Sequence, residues 1–477
     1  REGLALAEAL GELVRVRQEV DPRFELFGVV MTLDRCDPTP ALLFERPTGY
    51  ASPVCAQLLA TRRRLARMLG FPEDPLAFKR RWLETLDQTI APVLVPRGPC
   101  QGRVVREEID LLRLFPIPWN SPDTGGPYLE PLVVSKDPET GSRNVGMYRC
   151  MIAGPDRVTL NMRREGGGGS HLYQAQALGR PFPVALVIGG PPALYVAGYT
   201  KLPYGQDEYG LAGALLGRPV ELVRCLTVDL EVPASAEIVI EGTIWPPYEE
   251  VDEGPFPEYL GCLGTLLRRP YLRVSAVTCQ PQPILYAITS HSRDDVVVQE
   301  LINAAMHYKA LTGFAPGFVQ DACLTPGSGT WHHLVVKVRK EHPLHEGLQI
   351  SVAQAAFSLS VHLDLVVLVD EDIDIYDMRE VDWAICTRCN PARQVYLLPE
   401  GRTHRNVPIA AAREHLGDGR TVKGKWIIDA TIPFEYRAGE KTPGVSFFDR
   451  TRYQPVDLRK FLEPGDLRRL GLLKEEA

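Results

Sequence analysis

Phe115-Pro116-Ile117-Pro118-Trp119 marks the change of texture on which the fold assignment turns. Before it, apolar residues recur at helical spacing over residues 4–14, 56–70 and 74–90, among short apolar runs, which predicts an α+β unit over residues 1–115. After it the chain becomes rich in Pro and Gly, with short β-type runs at 132–135, 145–152, 184–188, 220–223, 237–240, 271–277 and 284–288. Many short strands with frequent breaks predict a barrel over residues 116–310. Beyond it, helical spacing at 298–311 and 348–359 alternates with apolar runs at 334–338, 365–369, 381–384 and 395–398. That alternation predicts a layered α/β unit over residues 311–477.

Bulk composition is consistent with three units. At 477 residues the chain is too long for one core, and roughly 150 residues per domain suggests about three. Hydrophobic content of 45% and charged content of 24% are ordinary for a globular protein, and no apolar run approaches the ~20 residues that span a bilayer. A net charge of −7 argues against a nucleic-acid surface, so Arg62-Arg63-Arg64 reads as the wet face of a helix carrying Leu58, Leu59, Leu65 and Leu69. The ten cysteines form no dense framework and no signal-peptide pattern opens the chain, which predicts reduced thiols in a cytoplasm. Cys386-Thr387-Arg388-Cys389 has no partner pair at zinc spacing, and Arg1 in place of Met suggests a trimmed or incompletely recorded start.

The chemistry concentrates in Glu253-Gly254-Pro255-Phe256-Pro257-Glu258, too rich in Pro and Gly to be helical. Two carboxylates on one stiff loop can diverge in proton affinity, as acid–base catalysis requires; the alternative is a solvated acidic turn continuing Glu249, Glu250 and Asp252. In Asn144-Val145-Gly146-Met147-Tyr148-Arg149, Asn144 and Arg149 need a bend to share a face, and Gly146 permits one. Arg149 is then an anion clamp or a structural ion pair. Gly166-Gly167-Gly168-Gly169-Ser170-His171 reads as a loop whose backbone can approach a ligand, or as a floppy loop with an exposed His. Asn144, His171 and Glu208 together offer amide oxygen, imidazole nitrogen and carboxylate oxygen, a set suited to Mn2+ or Mg2+ more than to zinc. Lys425 and His291 are candidates of the same kind, while Asp370-Glu371-Asp372-Ile373-Asp374 reads as acids that solvate a strand exit and cap the next helix.

In chain order, Asp123-Thr124-Gly125-Gly126-Pro127-Tyr128, Arg143-Asn144-Val145-Gly146-Met147-Tyr148-Arg149, the run from Val232-Pro233-Ala234 to Glu241-Gly242, the Glu253 to Glu258 loop, Val369-Asp370-Glu371-Asp372-Ile373-Asp374 and Lys425-Trp426-Ile427-Ile428-Asp429-Ala430-Thr431 resemble the UbiD-like decarboxylases, which use prenylated FMN. The resemblance spans nearly the whole chain. It implies an N-terminal α+β unit, a central split β-barrel that binds flavin and a C-terminal α/β unit used in oligomerisation. It implies that Arg149, Glu253 and Glu258 are catalytic, with Glu258 as proton donor and Glu253 paired to the arginine. The flavin would meet Asn144, Gly146, Met147, Tyr148, Arg149, Ser170, His171, Glu208 and Lys425, the last at its phosphate. A divalent ion, Mn2+ or Mg2+, would fall on Asn144, His171 and Glu208, and a K+ on Ala197, Gly198, Thr200 and Glu208.

Removing CO2 from an sp2 carbon leaves an unstabilised carbanion, so an electrophilic cofactor must hold the substrate covalently while the protein handles protons and placement. The implied reaction is reversible, non-oxidative decarboxylation of an aromatic, heteroaromatic or α,β-unsaturated acid. Glu258 is expected to be kept protonated by a dry pocket. Ser170, Leu172, Ser290 and His291 are the expected substrate pocket, His291 meeting a polar ring substituent, and Ser170 with its glycine run departs from the family pattern in a way that bears on substrate shape. Implied partners are the acid and CO2, a flavin prenyltransferase as cofactor supplier and further copies of the chain, as dimer or hexamer. The rival readings are a split-barrel FMN oxidoreductase and a non-catalytic cofactor-binding protein.

Overall fold

The computed structural model describes residues 1–469 except 165, 415–419, 452 and 455. They fall into two compact units, residues 1–339 with 347–431 and residues 340–346 with 432–477. In the smaller unit, Glu440–Thr442 pairs antiparallel with Val445–Ser446, and Lys340 Nζ meets Glu346 Oε1 at 3.0 Å. No described helix is long and apolar enough to cross a membrane.

In the larger unit the chain opens with α1 (Glu2–Ala9), which stops short of Gly11 at φ 68° and gives way to β1 (Leu13–Val20). The stretch expected to be one helix over 4–14 is therefore a helix and the start of a strand, because Val14-Arg15-Val16-Arg17 alternates apolar and polar residues at period two. Strand β1 pairs parallel with β2 (Ala41–Pro47), which pairs antiparallel with β3 (Val54–Ala56); Leu285–Tyr286 returns to complete this sheet beside β3. Helix α2 (Arg62–Leu69) is capped by the Thr61 hydroxyl, which accepts the Arg64 N–H at 3.1 Å, and ends at Gly70 with φ 67°. Helix α3 (Pro75–Leu86) has the Asp74 carboxylate as its cap. The Arg62-Arg63-Arg64 run is not a wet face. Arg64 is fully buried, donating to Glu12 Oε2 at 2.8 Å and to the carbonyls of Leu58, Gln57 and Thr39, while Arg62 pairs with the buried Glu300. Buried guanidinium is tolerable because every side of its planar fork meets an acceptor.

The central sheet runs, edge to edge, through Tyr128–Leu129, β6 (Cys150–Gly154), β7 (Arg157–Thr159), β11 (Leu267–Cys279), β9 (Ile238–Ile244), β8 (Phe182–Ile188), β4 (Leu132–Lys136) and β5 (Arg143–Met147). The long strand β11 is its branch point, pairing also with β10 (Glu250–Glu253) and with Arg103–Val105. Among the described residues this is an open path, and no closed barrel forms from the many short strands. Burial on both faces explains the apolar runs: the successive residues Leu132, Val133 and Val134, and Val184, Ala185 and Leu186, are all without exposure. Helices α4 (Gly167–Ala177), α5 (Pro192–Tyr199) and α6 (Glu208–Leu216) flank the β5 end of that sheet.

A 22-residue helix, α7 (Arg293–Phe314), leads into an α/β layer. Its sheet has the order β12 (Val319–Leu324), β13 (His333–Val338), β14 (Leu365–Asp370), β16 (Val422–Ala430), β15 (Val395–Arg402), with β13, β14 and β16 parallel and the two edge strands antiparallel. Helices α8 (Leu348–Leu359) and α9 (Met378–Arg388) accompany it; the run at 381–384 lies inside α9. The acidic cluster at the carboxyl end of β14 is neutralised locally: Arg388 donates to Asp370 Oδ2 at 3.1 Å and to both oxygens of Asp372 at 2.8 and 2.6 Å. The cap of α9 is Asp377, outside the cluster. Cys386 is exposed and Cys389 half-buried, and among the described residues no three His, Cys, Asp or Glu side chains are placed to hold a metal.

Candidate active site

Strand β5 runs straight through Gly146 and breaks at Tyr148-Arg149, before β6 starts at Cys150. The bend expected at Gly146 therefore lies two residues later. Gly146 serves close packing instead: a Cβ there would stand 2.9 Å from the Tyr148 ring. At the break, Arg149 is buried and meets Glu253 side by side, Nε to Oε1 at 3.1 Å and Nη2 to Oε2 at 2.9 Å. Its Nη1 donates to Glu258 Oε1, so one guanidinium carries both loop carboxylates. Burial alone would lower the affinity of Arg149 for its proton; Glu258 and Glu253 outweigh it and push the pKa up. Tyr128 OH donates to Glu253 Oε1 at 3.0 Å, and burial beside that carboxylate pushes the phenol up. Phe256 closes the group from below, its ring 4.8 Å from the guanidinium and 4.4 Å from the Tyr128 ring.

Loop geometry explains the Pro and Gly content. Gly125 N–H donates to the Pro255 carbonyl at 2.9 Å, and a Cβ on Gly125 would lie 1.9 Å from the Gly254 carbonyl oxygen. Glu258 N–H donates to the Cys262 carbonyl and Gly264 N–H to that of Phe256, folding residues 256–264 into a tight turn; a Cβ on Gly264 would lie 2.6 Å from Glu258 Oε1. The side chain of Glu253 is wholly buried and that of Glu258 is 17% exposed, so the two carboxylates do occupy different surroundings.

The second Glu258 oxygen accepts Asn406 Nδ2–H at 2.6 Å. Both oxygens of Glu258 thus accept N–H bonds, one from the central sheet and one from the α/β layer. The next residue, Tyr259, meets His332 Nε2 through its hydroxyl at 2.9 Å, and His332 Nδ1 meets Asp364 Oδ2 at 2.9 Å. Asp364 also accepts from Thr403 at 3.1 Å and Lys423 at 3.2 Å. His332, Asp364 and Lys423 stand at the amino ends of β13, β14 and β16, and Thr403 and Asn406 just past the end of the antiparallel β15. The α/β layer therefore faces the carboxylate loop with the opposite edge from the one bearing the acidic cluster. His362 and His404, with rings 4.7 Å apart, are held neutral there: burial and nearby cations lower the first to about 4 and the second to about 2.

The mixed-ligand set gathers around β5. Asn144 is on the strand, and its cross-strand partner Ser135 meets His171 Nδ1 at 3.1 Å. Val145 N–H donates to Glu208 Oε2 at 2.8 Å, while Arg143 anchors the preceding Asp207 at 2.6 Å, fixing the start of α6 against the strand. The glycine run is not a loop. Gly167, Gly168 and Gly169 form the first turn of α4, and His171 is buried on it. A Cβ on Gly167 would lie 1.8 Å from Asn144 Oδ1 and one on Gly169 1.6 Å from the Arg163 carbonyl, so only glycine lets this helix approach. The set suits a divalent ion: Asn144 offers an amide oxygen, burial keeps His171 neutral by lowering its pKa, and burial pushes Glu208 up to about 7 against the Val145 N–H, a desolvation that a bound cation would offset. Ala197 and Gly198 lie in the last turn of α5 and Thr200 is its C-cap, where helix carbonyls favour a cation.

Other expected residues are placed unevenly. His291, at φ 76°, lies over Gly261 of the carboxylate loop, where a Cβ would come within 2.7 Å of its ring. Ser290 donates N–H at 2.7 Å and Oγ–H at 3.3 Å to the carboxylate of Glu130. Ser170 turns its hydroxyl to the Gly167 carbonyl at 2.7 Å, and Leu172 is buried against the core. Lys425 donates to the carbonyls of Val361 and Leu363 at 3.0 and 2.7 Å, and burial lowers its pKa. Tyr128, Tyr259, His332, Asp364 and Asn406 escaped the sequence reading, since single polar residues at strand ends carry no spacing signal; Tyr128 alone lay in a motif quoted for the resemblance.

Comparison with known proteins identifies the family. Residues 4–81, 93–292 and 296–430 match in turn the N-terminal, the Rift-related and the C-terminal domains of 3-octaprenyl-4-hydroxybenzoate carboxy-lyase, UbiD. The chain is similar to the UbiD-class enzyme HmfF from Pelotomaculum thermopropionicum, solved in complex with FMN, at 35% identity over 97% of this chain and 99% of that one, with a TM-score of 0.88. An evolved dimeric form of HmfF, solved with prFMN, is 34% identical over 98% and 99% of the two chains, with a TM-score of 0.84. Klebsiella pneumoniae 3,4-dihydroxybenzoic acid decarboxylase (AroY) is 29% identical over 97% and 98%, with a TM-score of 0.88. With all three domains present in order, the chain belongs to the UbiD family of carboxy-lyases.

Proposed function

We propose that this chain decarboxylates an aromatic, heteroaromatic or α,β-unsaturated carboxylic acid, reversibly and without net redox change, using prenylated FMN. The observation that carries the reading is the single guanidinium of Arg149 bound to Glu253 through two hydrogen bonds and to Glu258 through a third. When bound, the modified flavin supplies the electron sink that an sp2 carbon losing CO2 lacks. Asn144, His171 and Glu208 would hold Mn2+ or Mg2+ at its phosphate, Ala197, Gly198, Thr200 and Glu208 a K+, and Gly146, Met147, Tyr148, Ser170 and Lys425 would contact the cofactor, in a central domain of the chain that we read as an open, split-barrel type.

The chain's own residues then divide the work. Arg149 has five N–H donors, and the three spent on glutamates leave two to orient the substrate carboxylate. Glu253 keeps the guanidinium charged and fixed in plane. Glu258 takes up a proton after yielding one of its two N–H contacts, and delivers it to the carbon that CO2 leaves. Ser290 and His291 border the substrate, with His291 available to a polar ring substituent. A homo-oligomer in a cytoplasm, dimer or hexamer, and cofactor supply by a flavin prenyltransferase complete the reading.

The test is turnover of a panel of such acids by cofactor-loaded protein. Glu258→Gln is expected to lose turnover while retaining cofactor; a folded, loaded Glu258→Gln that decarboxylates every accepted acid at the parent rate would show the proton-donor role to be wrong.

A further inference from the structure

Asn406 approaches the Glu258 carboxylate from the α/β layer, and neither the resemblance nor the reading above gives it a role. It lies in Thr403-His404-Arg405-Asn406, is half-buried, and donates Nδ2–H to Glu258 Oε2 at 2.6 Å. Its backbone N–H is held by His404 Nδ1 at 3.2 Å. The same framework fixes both partners. Thr403 is bound to Asp364, Asp364 to His332, and His332 to Tyr259, the neighbour of Glu258, at 3.1, 2.9 and 2.9 Å. A Cβ on Gly329 would come within 2.8 Å of the Tyr259 ring, so the chain at 329 closes on the loop from the same side. One hydrogen-bonded path thus ties the segment that carries the amide to the loop that carries the carboxylate.

We propose that Asn406 is a positioning residue for Glu258: its amide, set opposite Arg149, fixes the plane of the carboxyl group and holds its outer oxygen free of the proton until that amide withdraws. The inference rests on Glu258 as the proton donor. The charged and titratable groups facing this carboxyl are Arg149 at the β5–β6 break, Glu253 and Tyr259 on its own loop, Arg163 before α4, and Arg405, with His404, His332 and Asp364 behind Tyr259. An N–H bond to a carboxylate favours the anion, so withdrawal of the amide makes Glu258 easier to protonate while Arg149 remains in place.

The experiment is carboxyl 13C NMR of the full chain labelled at glutamate, with the Glu258 resonance assigned by its loss in Glu258→Gln. Asn406→Leu and Asn406→Ser are expected to move the Glu258 titration midpoint upward by about one pH unit or more. Asn406→Asp, which sets a second carboxylate at the same place, moves it further. In loaded enzyme the same variants shift the pH profile of kcat in the same direction. A Glu258 midpoint unchanged in both Asn406→Leu and Asn406→Ser overturns the proposal, whatever happens to activity. Turnover by Glu258→Gln instead removes the proton-donor role and leaves the NMR result to judge Asn406 separately.

Discussion

Glu253→Gln isolates the energy stored in the guanidinium pair. Glu253 is wholly buried and Arg149 nearly so, and the substitution removes the charge while turning an amide N–H toward an arginine N–H. Breaking a buried pair by removing one partner costs about 3–5 kcal/mol, because the remaining charge stays desolvated. Glu258 still meets Nη1, so the lower end, about 3 kcal/mol, is expected. Tyr128→Phe, which removes only the hydroxyl donor at 3.0 Å, should cost about 1 kcal/mol. The double replacement Arg149→Met with Glu253→Met should regain much of the loss, since a well-packed apolar pair avoids the desolvation penalty. The assay is urea unfolding of the full chain by circular dichroism, read as a midpoint shift at constant slope. A Glu253→Gln protein within about 1 kcal/mol of the parent, with no coupling to Arg149→Met, would refute the view that this pair is a desolvated ion pair.

Gly167→Ala should destabilise by about 1–3 kcal/mol, because its Cβ would overlap Asn144 Oδ1; Gly313→Ala, in α7 with open space around it, should stabilise by roughly 0.5–1 kcal/mol, and thermal unfolding of the pair reads this reversal of sign. Mn2+ at about 100 times its dissociation constant should raise stability by about 2.7 kcal/mol, a gain absent in His171→Ala; equal thermal shifts in both proteins would move the ion elsewhere. Asp294 is fully buried and burial raises its carboxyl to about 6. Its folded value lies above the unfolded one of about 3.9, so its contribution is complete below that value and lost as pH rises through about 6. Denaturant midpoints of parent and Asp294→Asn at pH 4, 6 and 8 should therefore converge on the alkaline side, the parent losing its advantage; parallel curves would contradict this.

The fold was legible where burial alone writes the pattern. In the α/β layer, the apolar runs at 334–338 and 365–369 became β13 and β14 within a residue, because strands buried on both faces need continuous apolar side chains. Legibility failed where a polar residue is buried by tertiary partners. Arg64 looks like surface charge in any window of sequence, and its burial becomes tolerable when the distant Glu12 and Thr39 join the nearby Leu58 and Gln57 carbonyls as acceptors. The helix over 167–177 failed for a related reason. Three glycines in its first turn weaken a helix by intrinsic preference, yet Asn144 and the Arg163 carbonyl occupy the space where side chains at Gly167 and Gly169 would be, and packing prevails over propensity.

The site divides along the same line. Arg149, Glu253 and Glu258 could be singled out because the loop between the acids is short and its Pro and Gly residues demand a rigid turn, and the structure places all three on one guanidinium. What could not be read was the second partner of Glu258. The Asn406 amide arrives from a segment nearly 150 residues away and, with Arg149, satisfies both Glu258 oxygens as acceptors. The two glutamates therefore differ by which parts of the fold hold them: Glu253 is held by Arg149 and Tyr128, whereas Glu258 is held jointly by Arg149 and the α/β layer, so a change confined to the layer reaches one carboxylate of the pair and leaves the bonds of the other in place.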